Sequence, residues 1–171
     1  MKKVILIFLL SLLTTLLLAQ DSQDYYVGTW KWESADSEIL VKLKIYNYNS
    51  KWAPNAQYTM LVGAYSYKKN GVVLADSLDE LEKNYSSWIK YPIAIWDIKE
   101  IGIRDYLLKN GYGSLKYIHG SSTIQHISSN PDKIKWILVD DAHSGDIIAD
   151  PKLIEPQGIS LPKEIVLTKV E

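Results

Sequence analysis

The run Tyr58-Thr59-Met60-Leu61-Val62-Gly63-Ala64-Tyr65-Ser66-Tyr67-Lys68-Lys69 is closed by Asn70-Gly71 and followed by Val72-Val73-Leu74-Ala75, and it decides the fold. Asn-Gly between two strand-like runs is the strongest short hairpin signal, because a type I′ turn needs positive φ at both central residues. A two-residue loop pairs Lys69 with Val72, and so predicts Tyr67 opposite Leu74 on one face. Upstream, Ile39, Val41, Leu43 and Ile45 alternate with Leu40, Lys42 and Lys44, the period of a strand with one buried face. Downstream, Trp88 to Ile98 reads as a strand in which Pro92 marks an edge or bulge. Tyr106 to Lys109 is expected to pair across Asn110-Gly111 with the segment after it. Leu115 to His119 and Thr123 to Ser128 read as strands around Gly120. Ser129-Asn130-Pro131-Asp132 is a turn. Ile134, Trp136 and Leu138 share one face of the next strand, Asp140 to Gly158 is polar and irregular, and Glu164 to Val170 closes the chain. Ser77 to Lys83 is the one helical candidate, with Ser77 as cap and Glu80 as its capping-box partner. The expectation is an all-β, antiparallel protein of about eight to ten short strands with at most one short helix, a sandwich or an up-and-down barrel. Amphipathic helices do not alternate with the strands, which excludes a parallel α/β fold.

The first twenty residues differ from the rest. Lys2 and Lys3 precede an apolar run from Val4 to Leu18, broken only by Ser11, Thr14 and Thr15; Ala19 and Gln20 follow, and the chain turns polar at Asp21. This is the tripartite pattern of a secretory signal peptide, with cleavage near Ala19 or Gln20. A membrane anchor is the rival reading, but the apolar run is shorter than the roughly 20 residues a span needs. The chain has no cysteine, hence no acceptor for a lipoprotein anchor and no disulfide. Residues 1–20 are therefore read as a signal peptide and 21–171 as a single domain, exported to the periplasm, the outer surface or the medium, with no membrane span in the mature chain.

About 150 residues bury enough surface to fold without staples. The chain carries 19 basic and 20 acidic residues, and without Lys2 and Lys3 the balance is 17 against 20. No basic stripe stands out, which argues against nucleic acid. The only Phe is Phe8, whereas all six Trp and all twelve Tyr follow the leader. Such rings, apolar with a polar tip, suit half-buried sheets and ligand surfaces.

The first strand after the leader carries Val27-Gly28-Thr29-Trp30-Lys31-Trp32. Gly28-x-Trp30 resembles the opening of lipocalin-type barrels, in which the Trp packs across the closed end and a basic residue late in the chain covers it. The resemblance assigns that covering part to Lys169, with Lys163 as the alternative. Along the chain, the stretch Leu61 to Val72, then Asp76-Ser77-Leu78, Lys135-Trp136-Ile137-Leu138 and Pro162 to Lys169 follow in order. The mature chain thereby resembles an uncharacterised family of small exported lipocalin-like proteins of Bacteroidota-type bacteria, a domain of unknown function. What the resemblance implies is a lipocalin-like barrel over 21–171 and an exported compartment, and no reaction. Asp76-Ser77-Leu78 also resembles the short acceptor for O-glycosylation in exported proteins of such bacteria, with Ser77 as the acceptor.

Motifs for chemistry are sparse. His119 and His126 approach each other if their strands form a hairpin, but zinc usually takes a third protein ligand. Asp140-Asp141-Ala142-His143-Ser144-Gly145-Asp146 gathers carboxylates without the ligand spacing of an EF-hand. There is no Gly-x-Ser-x-Gly elbow, P-loop, His-Glu-x-x-His or Gly-x-Gly-x-x-Gly, so no cofactor, metal or catalytic residue is expected. A carboxylate pair assembled in space remains open, with Glu33, Glu38 and Asp97 in or beside strands.

Three functions of different class follow. The first is a non-enzymatic barrel holding a small apolar or amphipathic ligand, lined by Leu61, Gly63, Tyr65 and Tyr67 with Trp30, where Gly63 leaves room. The second is an interaction module presenting its Trp and Tyr to a glycan or protein. The third is a hydrolase with an acidic site built from distant residues.

Overall fold

The computed structural model describes residues 23–50, 53–97, 100–109, 115–118, 122–130, 132–139 and 159–171. They form ten strands: β1 (Gly28–Glu33), β2 (Ser37–Ser50), β3 (Ala53–Lys69), β4 (Val72–Asp76), β5 (Ile93–Asp97), β6 (Glu100–Lys109), β7 (Leu115–Ile118), β8 (Thr123–His126), β9 (Lys133–Ile137) and β10 (Glu164–Lys169). All pairings are antiparallel, in the order β7-β6-β5-β3-β2-β1-β10-β9-β8, with β4 as a branch on β3. The only helical segments among the described residues are short 3-10 turns at Gln23–Tyr26, Leu78–Glu82 and Trp88–Lys90.

Neighbours in sequence are mostly neighbours in the sheet, and the C-terminal strand returns to the first: Trp30 pairs with Lys169 and Lys31 with Thr168. Strand pairing does not close the sheet. Its two ends nevertheless meet where the Ile101 amide on β6 donates to the Ser122 carbonyl just before β8, at 3.3 Å. The curl places one face inside. Trp30, Val41, Leu61, Ile103, Ile118, Ile124, Ile134 and Leu167, from eight of the strands, share one buried cluster and are at most 1% exposed.

Period two accounts for these faces. Ile39, Val41 and Leu43 are buried, and so are Ile134, Trp136 and Leu138, and Ile165 and Leu167. The Asn70-Gly71 turn has φ of 51° and 76°, the signature of type I′. Lys69 pairs with Val72 as expected, but the register slips between Tyr67 and Lys68, so Tyr67 faces Ala75 and not Leu74. The bulge turns Ala75 inward and leaves Leu74 42% exposed. One strand limit and one pairing also differ. The segment before Pro92 is a 3-10 turn, with β5 starting at Ile93, because Pro cannot donate to a ladder. β7 and β8 lie at opposite ends of the strand order and do not form a hairpin, the condition for His119 and His126 to meet; β8 pairs with β9.

Little space is left beside the described core residues. The cavity beside Ile39, Tyr65, Trp136, Leu138, Leu161, Pro162 and Ile165 is about 10 Å³, room for about one water. Nor does Gly63 leave room. A Cβ there would lie 2.5 Å from Leu43 Cδ2 and 2.5 Å from the Lys42 carbonyl oxygen, because the neighbouring strand already fills the space. Gly63→Ala is therefore expected to destabilise the fold by about 1–3 kcal/mol through overpacking, read as a lower urea midpoint at unchanged slope. An unchanged midpoint would mean that the space beside Gly63 is open.

Candidate functional site

One end of the core is built around Trp30. Its ring is fully buried, and its Nε1 donates to the Tyr26 carbonyl at 2.8 Å. Lys169 Nζ lies 5.3 Å from the Trp30 ring, within cation–π range, and 3.5 Å from the Tyr25 carbonyl. Gly28 belongs to the same arrangement. Its φ is +129°, and a Cβ would lie 2.4 Å from the Glu171 carbonyl oxygen and 3.0 Å from Lys169 Cε. Gly28, Trp30 and Lys169 thus stand together, and Lys169 takes the position over the ring.

The other end is built around Asp105. On β6 the inward positions are Ile101, Ile103 and Asp105; on β7 they are Lys116 and Ile118. Asp105 stands opposite Lys116 in the ladder, and neither is more than 1% exposed. A buried carboxylate must be hydrogen-bonded. Asp105 accepts from the Leu107 amide at 3.0 Å, from the Ser160 amide at 2.8 Å and from the Ser160 hydroxyl. These bonds pin residues 159–162, a strap crossing this end of the core, and Leu161 and Pro162 then wall the small cavity. The sequence signal for this site is a charge in phase with Ile101 and Ile103, hidden when the strand is started at Tyr106.

The inward-facing Leu61, Gly63, Tyr65 and Tyr67 are all buried. The Tyr65 hydroxyl is committed: it donates to the Arg104 carbonyl at 2.8 Å and accepts from the Tyr106 amide at 3.1 Å. Burial pushes its phenol far above the ordinary range. Ser77 is 1% exposed and does not cap the helical turn. Its hydroxyl donates to the Tyr65 carbonyl at 2.9 Å and accepts from the Tyr65 amide at 3.1 Å, and to carry a glycan it must leave both bonds. Glu80, its expected capping partner, bonds Lys83 and the Tyr85 hydroxyl.

The outer face of the sheet carries a second cluster. Met60, Val62 and Ala64 of β3 and Ala94 of β5 are buried in one cluster with Leu81 of the 3-10 turn at Leu78–Glu82 and Tyr91, the residue after the turn at Trp88–Lys90. β3 is therefore buried on both faces, as its unbroken apolar run from Met60 to Ala64 signals. Around this patch lie part-buried Tyr46, Tyr48, Tyr85, Trp88 and Trp96. Tyr48 stacks on Tyr46 at 6.1 Å and on Tyr58 at 5.5 Å, and Trp88 meets Trp96 edge-on at 4.7 Å. Two of the rings are tied to backbone: Tyr46 donates to the Tyr85 carbonyl and Tyr91 to the Lys83 carbonyl, each at 3.0 Å.

A carboxylate pair does form. Glu33 and Glu38 face each other across β1 and β2 beside an open groove of about 330 Å³, and Lys31 Nζ bonds both, at 2.7 and 2.9 Å. Hydrogen bonds from Lys31 and then Lys68 hold the Glu38 carboxyl below its usual range. A general acid needs the opposite shift, so this exposed pair is built as an ion cluster. His126 packs against Tyr25, ring centroids 4.3 Å apart. His119, His143, the loop Asp140 to Asp146, and Ala19 and Gln20 lie outside the described residues.

The raised Tyr65 phenol has a pH consequence. In the unfolded chain it ionises near its ordinary pKa of about 10, while the folded protein keeps it protonated. Its contribution is therefore complete below pH ~10 and is lost as pH rises beyond that. Alkaline unfolding followed by circular dichroism is expected to begin above pH ~10, and Tyr65→Phe is expected to flatten that pH dependence. An identical alkaline profile for the variant would contradict this.

No curated protein and no solved structure matches the chain. A family of unknown function, DUF6705, matches residues 1–170, and the chain belongs to that family.

Proposed function

We propose that the protein is an exported, non-enzymatic binding module: a filled, lipocalin-like barrel that recognises a glycan on its outer aromatic face. The observation that carries this reading is the array of Tyr46, Tyr48, Tyr58, Trp88 and Trp96 on one outer face, packed ring on ring, with Tyr46 tied to the Tyr85 carbonyl. Pre-fixed rings lose little conformational freedom on binding, and Trp and Tyr offer apolar faces together with polar tips. A sugar presents that combination in reverse, with C–H faces and hydroxyl rims. Of the charges nearby, Lys83 is paired with Glu80 and Lys44 is tied to the Leu81 carbonyl, which leaves the rings themselves as the contact surface. The little space left beside the described core residues supports an external site over a hollow one. Lys2-Lys3, the apolar run and Ala19 support export, and the strand order with its near-contact at Ile101 and Ser122 supports a barrel.

A glycan array probed with the purified protein is expected to give a restricted set of glycans. Trp88→Ala with Trp96→Ala should lower that binding at least about tenfold, the scale of losing ring contacts of this kind, with the circular dichroism spectrum kept. No enrichment on the array, or binding indifferent to both substitutions, would reject the reading.

A further inference from the structure

We propose that the strap over residues 159–162 closes a second site, separate from the outer face, for a small uncharged amphipathic molecule with one hydrogen-bond acceptor. Trp136 carries the argument. It is 4% exposed, it walls the small cavity, and its buried Nε1 has no hydrogen-bond partner among the described residues. Folded proteins leave few buried donors unpaired, and each one calls for an explanation. Trp30, at the opposite end of the same core, shows the ordinary solution, with its Nε1 on the Tyr26 carbonyl.

The chemistry of the walls selects the ligand. Ile39, Leu138, Leu161 and Ile165 are apolar, and the Tyr65 hydroxyl is already committed to two backbone partners. The unpaired indole N–H therefore asks for an acceptor, while the apolar walls exclude a net charge. A ketone, ester or ether on an alkyl body satisfies both conditions.

Room comes from the strap. In the closed state the cavity is about 10 Å³, with Leu161 as one of its walls. No strand holds Leu161 in place; the hydrogen bonds flanking it are Ser160 on Asp105, through one amide bond and one hydroxyl bond, and the Leu138 amide on the Lys163 carbonyl at 2.7 Å, so Ser160 is the side-chain latch. Lifting Leu161 with the strap opens the space beside Trp136. The observed affinity is then the intrinsic affinity reduced by the fraction of molecules that are open. Ser160→Ala removes one latch bond, leaves the carboxylate its amide partners, and raises that fraction.

The test is titration of the ¹⁵N-labelled full chain with octan-2-one, following its six tryptophan indole resonances. The resonance that disappears in Trp136→Phe is expected to move downfield as the ketone is added, while the other indole signals stay. Ser160→Ala is expected to tighten the apparent Kd by about tenfold. A Trp136 resonance that does not move in either the native protein or Ser160→Ala would overturn the proposal, as would all indole signals shifting together. Unchanged or weaker affinity in Ser160→Ala would overturn the latch.

Discussion

The return of β10 onto β1 across Trp30 is the constraint on which the rest depends. Without it, β8 and β9 would hang from the sheet with an apolar face in water. With it, Ile124, Ile134 and Trp136 meet Ile101, Ile103 and Ile118 from the far end of the strand order. The join is narrow: two residue pairs, Trp30 with Lys169 and Lys31 with Thr168, extended by Thr29 donating to the Glu171 carbonyl and accepting from the Val170 amide. Gly28 makes it feasible, because a side chain there would collide with the Glu171 carbonyl. The Lys169 ammonium over the Trp30 face adds an attraction of about 0.5–2 kcal/mol, and the ring itself removes a large apolar area from water.

The two ends of the core treat their indoles differently. At the Trp30 end the indole N–H has its acceptor. At the Asp105 end a buried carboxylate spends its bonds on a strap while the indole of Trp136 has no partner among the described residues. An apolar interior makes the second arrangement costly, and costly polar placements of this kind concentrate where a protein binds something or moves. The outer aromatic face has a different logic: its rings pack on one another, and Tyr46 and Tyr91 bond backbone carbonyls outside the core.

The sequence made legible whatever depends on local periodicity and turn chemistry. Asn70-Gly71 announced its turn because positive φ is a local demand. Ile39 to Ile45 announced their inward face because side chains alternate. Gly28, Trp30 and Lys169 were brought together by resemblance to a barrel pattern, and the register sets Trp30 opposite Lys169. What local rules do not carry stayed hidden. The bulge at Tyr67 follows from Ser77 bonding both backbone groups of Tyr65, a contact twelve residues distant in sequence. The same burial is why Ser77 reads as a cap or glycan acceptor in the sequence and as a core hydroxyl in the fold. The partner of β8 depends on the closure of the whole sheet. Asp105 reads as a surface charge until its strand is extended back to Glu100, and the outer cluster needs the 3-10 segment to fold over β3.

The central claim is that the C-terminal strand seals the curled sheet against β1. Native-state amide hydrogen exchange measures this directly, since amides in the cooperative core open only with global unfolding. The account predicts that the Thr29, Leu167 and Val170 amides exchange as slowly as those of Val41 and Leu61 in the central hairpin. Exchange of the β10 amides at the rate of a frayed terminus, with the hairpin still protected, would contradict it.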